Sequence, residues 1–169
     1  AMLLDAPGFY LLAVLFAPFL GPVFGIPFAA VLGSGWFFLQ SLFHLLAGGG
    51  LIFAIGALTG WISVNLPAGA EFTLISIHNA FSWPNLIVAV VGAGLTTYLL
   101  VRSPRQKPLV ANIAVVYGLM LPLAASGFAL TNGTQVNWIG GLVVFLVHLA
   151  LSIIIAAVLF LVLGLKPAS

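Results

Sequence analysis

Only four basic and two acidic residues occur in a chain of 169 residues. Ordinary globular domains carry about 25% charged residues to wet their exterior; this chain carries 4%. Its hydrophobic fraction is 63% and its mean hydropathy is +1.33. The apolar residues gather into runs of about 20 or more, separated by polar connectors, as a chain embedded in lipid requires. A water-soluble fold is excluded. A net charge of +2, most of it in one loop, also gives no footprint for nucleic acid.

Five runs can cross a hydrocarbon core at 1.5 Å of rise per residue: 8–32, 36–63, 84–101, 109–130 and 139–165. No segment alternates in the manner of a membrane barrel strand. The expected architecture is all-α, a single transmembrane domain over 1–169. It is a bundle of five transmembrane helices with a short interfacial helix, near Phe72–Phe81, between the second and third. Ser82-Trp83-Pro84 reads as the start of the third span, with Ser82 as cap and proline in the first turn. Ala1–Pro7 lacks the positive charge of a secretory leader, so the first run is read as structure.

The basic residues set an expected orientation. Arg102, Arg105 and Lys107 share one loop, and Lys166 follows the last span on the same side. The positive-inside rule makes that side cytoplasmic, with the N-terminus outside and the C-terminus inside. Asp5, Glu71 and the Thr131–Asn137 loop then lie outside. Tyr10, Trp61, Trp83 and Trp138 fall near outer ends, and Trp36 and Tyr98 near inner ends, as an interfacial belt does. Asn132-Gly-Thr134 is a glycosylation sequon on the outer side.

Three features lie within the spans. Pro18, Pro22 and Pro27 in the first run remove backbone donors. They suggest either a bent, packed helix or a broken helix lining a solute path. Gly56-x-x-x-Gly60 and Gly21-x-x-x-Gly25 permit close helix approach, which is read as packing within the subunit. The third feature is His44, His78 and His148, since ionisable groups within a span face a bundle interior or a cavity. Gln40 and Ser41 sit beside His44, and Ser152 one turn after His148, placed to hold a ring nitrogen. His44 and His148 fall on opposite sides of the expected midplane, whereas His78 and His148 can approach one another. Asn112, Tyr117, Thr96 and Thr97 supply further hydrogen-bonding groups between helices.

Three functional classes fit. The first is an accessory or structural subunit of a larger membrane complex, with the lipid bilayer and other membrane subunits as partners. The second is a b-type haem electron-transfer protein, with His78 and His148 as axial ligands and His44 at a quinone or second site. The third is a small-solute channel or carrier along the proline-broken first helix, with Pro18, Pro22, Pro27, Gln40 and Asn112 as pore or kink residues. No phosphate-binding glycine loop, zinc-protease helix or nucleophile elbow is present, so no catalytic activity of its own is expected. The absence of cysteine removes thiolate chemistry and disulfides.

Overall fold

The computed structural model describes residues 20–65, 73–103, 109–133 and 137–165, and among these it contains six helices and no strand. They are α1 (Leu20–Leu32), α2 (Gly35–Ser63), α3 (Thr73–His78), α4 (Trp83–Arg102), α5 (Leu109–Asn132) and α6 (Trp138–Val162). α2, α4, α5 and α6 are long and apolar enough to cross a membrane. α1 is a shorter apolar helix, and the start of the first expected span, with Pro18 and Tyr10, lies outside the described residues. So do Asp5, Glu71, Arg105, Lys107, Thr134 and Lys166.

Local chemistry explains the ends. Gly33 turns α1 into α2 at φ 72°, a left-handed conformation that glycine adopts without Cβ strain. α4 starts where expected, after an extended Ser82 and with Pro84 in the first turn, although the Ser82 side chain makes no capping bond. α6 starts at Asn137, whose side chain accepts from the Ile139 N–H at 3.1 Å. It ends at Gly164, φ 88°, where the Leu165 N–H reaches back to the Phe160 carbonyl.

α5 is the central helix. Its apolar stretch is 67% buried, against 17–28% for the other three long helices. Glycines set its seam with α2: a Cβ added at Gly56 or Gly60 would collide with the Ala124 or Phe128 carbonyl, and one at Gly127 with that of Phe53. Across this seam Thr131 donates to the Ala57 carbonyl, and Asn132 to the Ser63 hydroxyl. The glycine pattern therefore joins helices of one chain. The sequon residue Asn132 is tied into the same seam. Large apolar side chains, among them Phe43, Leu51, Leu58, Ile87, Ile154 and Leu161, cover the outside. Trp36, Trp61, Trp83 and Tyr98 stand exposed near helix ends, the placement that an interfacial belt requires.

The short helix between the second and third long helices is present as α3. It packs closely against α5: Ile75, 2% exposed, joins Leu121, Ala125 and Phe128 in one apolar cluster. His78 and Asn79 at its end are also buried.

Candidate functional site

α3 carries His78 to α5, where its Nε2 lies 3.2 Å from the Tyr117 hydroxyl and the two rings meet edge-on. The next residue, Asn79, donates to the Ala125 carbonyl at 3.4 Å. Tyr117 is fifteen residues, or about 22 Å of helix rise, before the end of α5 at Asn132. The chain between α2 and α4 thus dips well into the bundle. Non-helical backbone at such depth is tolerated where it is covered by protein or lines a cavity.

His148 reaches the same place from α6, and a proline explains how it is held. Pro122, inside α5, has no N–H, so the carbonyl four residues earlier, that of Gly118, loses its helical partner. His148 Nδ1 lies 2.8 Å from that carbonyl, and His148 is 1% exposed. A carbonyl only accepts, so the proton must sit on Nδ1. Nε2 is left buried, with no hydrogen-bond partner among the described residues. Gly118 also lets α4 close in, since a Cβ there would lie 3.1 Å from that of Ala89.

His78, Tyr117, Gly118 and His148 line one small cavity, with Ser82 and Asn85 from the start of α4. It leaves about 10 Å³ for the centre of a water-sized sphere, roughly the room for one water. Gly118 and His148 both lie within about 4 Å of rise of the middle of their helices. The two histidines therefore share one level near the middle of the long helices.

The arrangement differs from a haem site. A porphyrin ring has no space between His78 and His148, and His78 Nε2 is already turned to Tyr117. Ser152 does not hold the His148 ring, because Nδ1 is taken by Gly118; the Ser152 hydroxyl is itself buried and unpartnered.

The other expected residues lie elsewhere. His44 and Gln40 are exposed on α2, and only Ser41 of that group is buried, against Gly25 of α1. α1 runs unbroken through Pro22 and Pro27, so the first helix is not broken over its described length. A cleft of about 500 Å³ lies beside it, lined by Gly21, Phe24, Phe28, Phe160, Thr96 and Asn112 among others. Thr96 donates to the Asn112 side chain at 3.1 Å. Neither proline lines that cleft. Sequence reasoning missed Pro122. The signal was a glycine and a proline four apart in a span, facing an intramembrane histidine.

A family model described as Domain of unknown function (DUF389) matches residues 14–155. No curated protein and no solved structure matches the chain.

Proposed function

The chain belongs to the DUF389 family, and from that premise we propose that this multi-pass membrane protein passes protons across the bilayer through His148, His78 and Tyr117. The observation that carries the reading is the bare Nε2 of His148, buried at mid-helix depth beside a cavity shared with His78. An unpaired buried nitrogen costs about 1–3 kcal/mol, and an ionisable group at this depth marks an ion or proton pathway by default. Imidazole both takes and gives a proton near neutral pH. Water in the cavity gives Nε2 a partner and joins His148 to the His78–Tyr117 pair. On the side of α6 towards Val162, Ser152 continues the polar row, and Phe160 two turns further on borders the 500 Å³ cleft.

The size of the cavity favours protons over larger solutes. The accessory-subunit reading rests on the near-absence of charge, of soluble mass and of catalytic motifs, and it leaves the midplane histidines without a task. The basic residues of the 102–107 loop and Lys166 in the sequence support a cytoplasmic side for the cleft. A cysteine at Lys107, in a chain that otherwise has none, should react with an impermeant maleimide in inverted membranes and not in intact cells. The reverse pattern overturns that orientation.

The test of function is proton flux into liposomes holding the purified protein, driven by a potassium–valinomycin potential and read with an internal pH dye. Flux above that of empty vesicles, lost in His148→Phe and kept in His44→Phe, supports the reading. Flux equal to empty vesicles, or unchanged in His148→Phe, overturns it.

A further inference from the structure

Gln40 and His44 lie one turn apart on α2, and both are exposed. Their neighbours Trp36, Phe43, Leu46 and Leu51 are exposed and apolar, so the pair sits in a face that meets lipid. α2 is 29 residues long with its midpoint at Gly49. His44 is five residues from that point, about 7–8 Å of rise, well inside a hydrocarbon core of about 30 Å. Polar side chains at that depth almost always turn to the bundle interior or find partners. Among the described residues the His44 ring meets the Phe43 ring edge-on, at 6.0 Å between centroids.

We propose that this face of α2 binds the same face of a second copy of the protein. Two copies inserted the same way hold Gln40 and His44 at equal depth, so a two-fold axis along the membrane normal brings the pairs together. Each side chain carries both a donor and an acceptor, which makes the pair complementary to itself. A partner of different sequence would need its own polar groups at this level. Ala47, Gly50 and Ala54 follow on the same side and are exposed, and a Cβ added at Gly50 meets nothing within 4 Å. The helix is therefore thin where a second backbone must come close.

Single cysteines test this in liposomes holding only the purified protein. Ala47→Cys should form a disulfide-linked dimer under copper–phenanthroline, whereas Val158→Cys, on the exposed face of α6, should not. Labelled protein diluted into excess lipid should dissociate at about tenfold higher protein density without cross-links when Gln40→Leu and His44→Leu are combined. Both substitutions are on the outside, and helical circular dichroism confirms that the variant is folded. Equal cross-linking at the two positions, a monomer at all densities, or no effect of the double substitution overturns the proposal. A monomer in liposomes that is a complex in native membranes assigns the face to another protein instead.

Discussion

Three residues, Gly118, Pro122 and His148, form the smallest unit that matters here. The proline frees a carbonyl, the glycine that carries it lets α4 close in, and the histidine satisfies it. Hydrogen bonds between membrane helices contribute roughly 0.6–2 kcal/mol each. His148→Leu should therefore destabilise the protein by about 1–2 kcal/mol in a reversible detergent unfolding titration. Pro122→Ala restores an N–H for the Gly118 carbonyl, so adding it should recover part of the loss. Simple additivity of the two changes would show that the carbonyl is not what couples them. The histidines could be picked out of the sequence because ionisable groups in a span are so few. Their partners could not, because a carbonyl freed by proline looks like any other until the helices are packed. The exposure of His44 was not legible for a related reason: no apolar stripe distinguishes the buried face of α2.

At the scale of elements, the helices and most of their ends follow from where charge, proline and tryptophan interrupt the apolar runs. Ser82-Trp83-Pro84 starts α4, and Arg102 ends it. The depth reached by α3 does not follow in this way. Its six residues give a helix from either setting, and what draws it inwards is the packing of Ile75 and His78 against Leu121 and Tyr117, with Asn79 bonded to Ala125. The glycines of α2 were legible as packing sites, but not which helix they met. Gly56 abuts the Ala124 backbone, which has no rotamer with which to yield. Gly56→Val should cost about 1–3 kcal/mol or more in the same titration, while Gly35→Ala, in open space at the start of α2, should be within about 0.5 kcal/mol of the parent. Equal effects at the two sites would contradict the α2–α5 seam.

For the whole molecule, a scarcity of charge fixes the solvent, and the solvent fixes the architecture. Lipid outside forces every backbone group to find its partner inside, and the one carbonyl released by Pro122 is met by a histidine. That exchange leaves an imidazole nitrogen bare near the middle of the long helices, beside a water-sized space that a second histidine shares. The measurement closest to this claim is nitrogen NMR of ¹⁵N-histidine protein in lipid bilayers, with His44 and His78 assigned by substitution. His148 should carry its proton on Nδ1, and its Nε2 should be in contact with water. A His148 protonated on Nε2 alone, or one sealed from water, would contradict the account.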